Sequence, residues 1–266
     1  MKQKTKKPIH PKKYLGQNFL IDPNIINKII SASNLKSTDC VLEVGPGLGA
    51  LTRKIAPEVK ALIGVEKDRT LAEELSKKIS DSHVKIYNDD ILTFDFLKLN
   101  KKIKLIGNLP YYISSSIIEK LIENSQHISS AFITVQLEFA KRLIAKPGNK
   151  EYGSLTCFMQ YHCEPRLLFK IKNSCFKPIP KVESAFVCLN FEKASPIKAE
   201  NEDLLFKTIR QTFQQRRKTI LNSLPNEYNK SQIKTILEKC NVSPTSRAEN
   251  LTLNDFINIS NYFNQL

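Results

Sequence analysis

The residues best suited to chemistry lie in the stretch Leu105-Ile106-Gly107-Asn108-Leu109-Pro110-Tyr111-Tyr112. The apolar run Ile103 to Ile106 predicts a short buried strand that Gly107 ends. Pro110 fixes its own φ and biases Leu109 away from the helical region, so the turn is stiff. Asn108 then offers a fixed carboxamide oxygen, Leu109 an unpaired carbonyl and Tyr111 a flat ring. Two acceptors beside a stacking face suit a planar group with an exocyclic amine, such as adenine. An ordinary strand-to-helix turn would use the same residue types, so the reading depends on its surroundings.

Those surroundings contain further candidates. Gly45-Pro46-Gly47-Leu48-Gly49 follows an apolar run, and glycines there let backbone approach a ligand closely at a helix N-terminus. Dinucleotide folds use similar loops. About twenty residues further on, Glu66 ends the next strand, where an acid can take both ribose hydroxyls of an adenosine. Asn88-Asp89-Asp90 follows a third strand, and a carboxylate at this strand end could accept from an adenine amine. Gln17 and Asn18 precede a helix, where their amides could close over a ligand or cap local backbone. Phe176-Lys177-Pro178-Ile179-Pro180-Lys181 is a stiffened loop with an aromatic and two lysines, which suits a base stacked on Phe176 with phosphates at Lys177 and Lys181. The same loop could equally be a rigid connection with Phe176 in the core. Arg216-Arg217-Lys218 forms a basic cluster at a helix junction, suited to an RNA backbone.

The elements that position these residues alternate. Strands are predicted at 40–44, 61–65, 84–87, 103–106, 131–135, 166–171 and 185–191. Helices are predicted between them: Asp22-Pro23 caps one running to about Asn34, and others cover 67–80, 113–122, 136–143 and 154–161. Such alternation implies a mainly parallel sheet covered on both faces. Residues 193–200 read as a linker. Beyond it the chain is predicted all-helical, at about 202–213, 216–224, 231–240 and 252–264, with a capping box from Thr252 to Asp255.

The chain has 266 residues, 41 Lys+Arg against 26 Asp+Glu and a formal charge of +15. That excess points to a polyanionic partner, most commonly nucleic acid. Lys2, Lys4, Lys6, Lys7, Lys12 and Lys13 all precede the first acid, Asp22, as in an arm that contacts phosphates without reading sequence. The six cysteines form no CxxC pair and the four histidines are isolated. Free thiols are expected, and neither a metal site nor a histidine-based triad. No apolar run is long enough to span a membrane and no secretory leader is evident, so a cytoplasmic location is expected.

Taken in order, these segments resemble the small-subunit (16S) ribosomal RNA adenine N6-dimethyltransferases, the kasugamycin-sensitivity family. The resemblance runs from Tyr14 to about Tyr262. It rests on Leu15-Gly-Gln-Asn-Phe-Leu20, Glu43-Val-Gly-Pro-Gly-Leu-Gly49, Glu66, Asp90, Asn108-Leu-Pro-Tyr111, Phe176-Lys-Pro-Ile-Pro-Lys-Val182, Gln215-Arg-Arg-Lys-Thr219 and Arg247-Ala-Glu-Asn-Leu251. It implies a Rossmann-like class I methyltransferase domain with a small all-α C-terminal domain. The expected division is an arm and closing segment at 1–21, a methyltransferase domain at 22–192, a linker at 193–200 and a helical RNA-binding domain at 201–266. S-Adenosylmethionine is the implied donor, with Gly45 and Gly47 at its methionine part, Glu66 at the ribose and Asp90 at the adenine amine. Asn18 and Leu20 would close the pocket, and Asn108, Leu109 and Tyr111 would serve the target base. Implied partners are small-subunit ribosomal RNA and the immature small subunit, with the enzyme a monomer. Leu137 departs from the pattern, standing where relatives often carry Lys. The rival resemblances are large-subunit ribosomal RNA adenine methyltransferases of the antibiotic-resistance type, and catalytically silent nucleic-acid-binding relatives.

Overall fold

A computed structural model describes residues 11–99, 101–224 and 228–265. Lys2, Lys4, Lys6 and Lys7 of the basic arm lie outside them. The chain divides into two compact units, one of residues up to Leu137 together with Leu168–Val187, the other of Glu138–Leu167 with Cys188–Leu266.

The strands are β1 (Phe19–Leu20), β2 (Cys40–Val44), β3 (Ala61–Glu66), β4 (Val84–Asn88), β5 (Ile103–Asn108), β6 (Ile128–Gln136), β7 (Glu164–Ile171), β8 (Phe176–Lys177) and β9 (Ser184–Asn190). Seven of them form one sheet in the order β4-β3-β2-β5-β6-β9-β7. The pairs β2–β3, β3–β4, β2–β5 and β5–β6 are parallel. This is the mainly parallel sheet that the alternation predicts, in the Rossmann-like form that the resemblance implies. The order reverses at β2, whose neighbours run on through the chain in opposite directions, so a crevice opens at its carboxyl end. Val41, Leu42 and Val44 of β2 are buried, as a strand covered on both faces requires.

The first unit's helices are α1 (Pro23–Ala32), α2 (Thr52–Ile55), α3 (Arg69–Lys78) and α4 (Ser114–Glu123). Asp22 caps α1 by accepting from the amides of Asn24 and Ile25, with Pro23 at the first helical position. Asp68 caps α3 through the Thr70 amide. Both β-strand and helix boundaries in this unit lie within a few residues of the predicted ones.

The second unit carries α5 (Leu137–Leu143), α6 (Ser154–His162), α7 (Glu202–Gln214), α8 (Ile220–Ser223), α9 (Lys230–Lys239) and α10 (Leu253–Asn264). Its core brings Tyr152 and Tyr161 together with Leu205, Phe213, Leu237 and Phe256. Residues 138–167 therefore pack with the C-terminal helices, although the chain order places them among the strands. The Tyr161 hydroxyl donates to Glu202 and accepts from the Ala199 amide, which pins the start of α7. The capping box of Thr252 and Asp255 forms as expected. The helix expected at 216–224 shrinks to Ile220–Ser223. Before it Thr219 is extended and forms a bridge with Arg247, and the Ile220 amide donates to the Ser246 carbonyl, so the backbone there is paired outside a helix.

Candidate active site

Every strand that ends at the crevice contributes a candidate. Glu66 closes β3, Asn108 closes β5, Gly45 follows β2 and Asp90 follows β4. One pocket is lined by Gln17, Asn18, Leu20, Gly45, Gly47, Glu66, Asp90, Asn108, Leu109 and Tyr111. Residues far apart in the chain thus converge on one cavity, because parallel strands place their carboxyl ends on one side.

Its electrostatics oppose those of the whole chain. Glu43, Glu66, Asp89 and Asp90 line it, with Lys67 the sole basic side chain of that wall. An acid-rich pocket in a chain of charge +15 suits a cationic small ligand. Glu66, 6% exposed, accepts from the Gly47 amide and the Asp68 amide, each at 2.8 Å. Burial pushes its carboxyl above the usual range, against those two amides. Glu43 is 1% exposed, with Oε2 lacking a partner. Burial, helped by the neighbouring Glu66 charge, pushes it up to about 7.

Asp90 accepts from the Lys67 ammonium at 2.6 Å and from the Leu92 amide at 3.1 Å. Burial pushes it up, yet those two donors outweigh burial and hold it below its ordinary value. Gly45 has φ +64°, and nothing stands within 4 Å of where a Cβ would be, so the backbone there lies open to a ligand. Gly47 differs from expectation. Its amide is already taken by Glu66, and the Phe19 ring would sit 3.2 Å from a Cβ placed on it.

The segment before α1 closes this pocket through three attachments. Gln17 donates to Asp68 at 3.1 Å and accepts from the Lys12 amide at 2.7 Å. Lys12 makes an ion pair with the same Asp68 at 2.7 Å. Burial pushes Asp68 up, but Lys12 and Gln17 together hold it below the usual range. Asn108 then donates from Nδ2 to the Asn18 carbonyl at 2.8 Å. Gln17 is therefore a strut of the closing segment, and Lys12 is bound to protein, not left for phosphates.

Among the described residues neither Asn108 Oδ1 nor the Leu109 carbonyl accepts a hydrogen bond. Tyr111 beside them is held by its hydroxyl to Ser184 Oγ. Burial pushes the Tyr111 phenol up, against that bond. Tyr112, the next ring, is 58% exposed and also lines the pocket. Two acceptors beside aromatic faces are present as the sequence suggests.

Two expectations are corrected. Phe176 pairs with Leu20 in the β1–β8 ladder and is 1% exposed, so its ring belongs to the core and offers no open stacking face. Lys177 and Lys181 on the same loop are exposed. Arg216 is occupied by Glu249 and two carbonyls, which makes it a clamp within the second unit. Arg217 and Lys218 are exposed and make no ion pair among the described residues.

The sequence profile of ribosomal RNA adenine dimethylases matches residues 10–265. The chain belongs to that family. The small-subunit ribosomal RNA methyltransferase A of Fusobacterium nucleatum is 42% identical over 259 residues, covering 96% of this chain and 97% of its own. That of Alkaliphilus oremlandii is 38% identical over 254 residues, covering 92% and 88%. Among solved structures, a dimethyladenosine transferase from Plasmodium falciparum superposes with a TM-score of 0.80 at 30% identity, covering 92% of this chain and 97% of that one. The 23S ribosomal RNA methyltransferase ErmE gives 0.76 at 26% identity, covering 93% and 100%. Family membership and the pocket agree with each other.

Glu43, a carboxylate inside an apolar strand, was legible in the sequence; three other residues of the pocket region were not. Asp68 reads as a helix cap, and nothing local shows its bonds to Lys12 and Gln17. Lys67 and Ser184 meet Asp90 and Tyr111 only through the fold.

Proposed function

We propose that this chain dimethylates N6 of two adjacent adenines in the 3'-terminal hairpin loop of small-subunit ribosomal RNA, with S-adenosylmethionine as donor, on an immature subunit. When bound, the donor supplies a methyl group already activated on a sulfonium. The pocket fits such a cation through Glu43, Glu66 and Asp90, and through the open backbone at Gly45. Glu66 retains lone pairs for ribose hydroxyls, and Asp90 can accept from the adenine amine of the donor.

The chain's own task is alignment, since the enzyme need supply no covalent nucleophile. The single observation that carries the reading is the acceptor pair of Asn108 Oδ1 and the Leu109 carbonyl inside the same pocket. Hydrogen bonds from the target amine to both would favour a more pyramidal nitrogen, whose lone pair can attack. The target base must leave its stack to reach them, with Tyr111 as a stacking face. After one methyl only one amine hydrogen remains, so the second transfer proceeds with one of these bonds lost. Lys177, Lys181, Arg217 and Lys218 are the proposed phosphate contacts, and the C-terminal helices the proposed ribosomal RNA-binding part. The enzyme acts as a monomer in this reading. The names of the curated relatives support the small subunit over the large one, and the intact acids and acceptors support chemistry over a silent factor.

Incubation with labelled S-adenosylmethionine and immature small subunits, followed by mapping of modified nucleotides, tests this. Two adjacent dimethylated adenines in the 3'-terminal hairpin are expected. Label confined to large-subunit RNA, or absent, would overturn the proposal.

A further inference from the structure

The loop between β8 and β9 is tied at both ends to residues that line the pocket. At its start Lys177 pairs with Phe19, which lines the pocket. At its end Ser184 holds the hydroxyl of Tyr111 on the same pocket. Between these ends the loop is braced. Pro180 is buried, its carbonyl accepts from Asn173 at 3.4 Å, and the Glu183 carbonyl accepts from the Leu137 amide at 3.0 Å. Yet Ile179 is 67% exposed and Val182 is 45% exposed. An isoleucine held out in water by a pinned loop is unlike a scattered surface aliphatic, because its neighbours Lys177 and Lys181 are exposed cations.

We propose that Ile179 is a wedge that enters the ribosomal RNA stack and fills the gap left when the target adenine swings into the pocket, with Lys177 and Lys181 on the flanking phosphates. The inference rests on the methyl-transfer reading above and deepens it. Apolar side chains inserted at base steps are a known means of unstacking, and an extruded base leaves an apolar gap that water fills poorly. The sequence-level candidate for aromatic contact on this loop, Phe176, is core. Ile179 is the more exposed of the two apolar side chains, Ile179 and Val182, that the loop presents.

The test is single-turnover methylation of immature small subunits at saturating donor and subunit, with Ile179→Ala, Ile179→Ser and Ile179→Phe. Loss of a wedge should slow transfer by roughly tenfold or more in the first two, while Ile179→Phe keeps most of the rate. Donor affinity, measured by titration, should be unchanged in all three, which also shows that they fold. Subunits carrying 2-aminopurine at one target position should brighten with the unsubstituted chain and not with Ile179→Ala. A rate for Ile179→Ala equal to the parent's, or a defect that vanishes at saturating subunit with the fluorescence intact, would reject the wedge and leave the function standing. Absence of methylation by the unsubstituted chain would remove both.

Discussion

Asn108 donates from Nδ2 to the backbone carbonyl of Asn18 at 2.8 Å, across ninety residues of chain. This bond ties the segment before α1 to the end of β5 and commits the amide half of the side chain. Oδ1 is thereby presented as an acceptor in a fixed orientation. One hydrogen bond thus holds both the segment that lines the pocket and the orientation of the acceptor.

Asn108→Ala should therefore lower the single-turnover rate by about 10²–10³, the cost of losing one preorganised polar contact. Donor affinity should fall modestly because the Asn18 carbonyl loses its partner. Near-normal transfer at saturating donor and RNA would show that the oxygen does not orient the amine.

Glu66→Ala removes the proposed ribose acceptor and also releases the Gly47 and Asp68 amides. Hydrogen bonds to charged groups contribute about 1.5–3 kcal/mol, so affinity for S-adenosylmethionine should drop by roughly 10–100-fold. Isothermal titration of the folded variant measures this, and an unchanged dissociation constant would take Glu66 out of the donor site.

Tyr111 separates into two parts. In the proposed function its ring is a stacking face, so Tyr111→Ala should lose about 1–3 kcal/mol per base. Its hydroxyl satisfies Ser184, which is 0% exposed. Tyr111→Phe should leave stacking intact but cost about 1–3 kcal/mol of stability by stranding that buried hydroxyl. Denaturant unfolding beside a turnover assay separates the two; equal stability of Tyr111→Phe and parent would contradict the buried bond.

The basic cluster should split in the same way. Arg216→Ala should destabilise the second unit, because Glu249 and the carbonyls of Lys150 and Tyr152 lose their donor. Arg217→Gln with Lys218→Gln should leave stability alone and reduce the salt slope of RNA binding by about one unit per phosphate contact. Melting curves and binding isotherms at several salt concentrations decide it, the reverse pattern being the damaging one.

Glu43 predicts a pH effect. Its carboxyl rises from an ordinary 4.5 to about 7 in the folded chain. A group raised on folding contributes stability that is complete below its unfolded value and is lost as pH rises through the folded one. The loss between pH 5 and 8 has an upper bound of about 3 kcal/mol. Glu43→Gln should flatten that part of the profile, so its melting temperature should fall less than the parent's from pH 5 to 8. An unaltered slope would place the titration elsewhere.

The fold was legible in the chain because it is written in local patterns. Cys40–Val44 and Ile103–Ile106 are apolar runs bounded by glycine, and parallel strands buried on both faces need that composition. Asp22-Pro23 and Thr252 with Asp255 announce helix starts through chemistry contained within one turn. Strand-end positions then placed Gly45, Glu66, Asp90 and Asn108 on one edge before any coordinates, since ligands gather at carboxyl ends.

What each side chain faces was not legible, because it depends on partners distant in sequence. Phe176 reads equally as an open aromatic on a basic loop or as a core ring, and pairing with Leu20 turns it inward. Arg216 reads as a phosphate contact, but Glu249 and two carbonyls claim it. Residues 138–167 sit among the strands in chain order, yet the burial of Tyr152 and Tyr161 joins them to the terminal helices. Local propensity sets where strands and helices form. Burial and long-range hydrogen bonding choose which of their side chains remain open to a ligand, and that choice requires the whole chain to be folded.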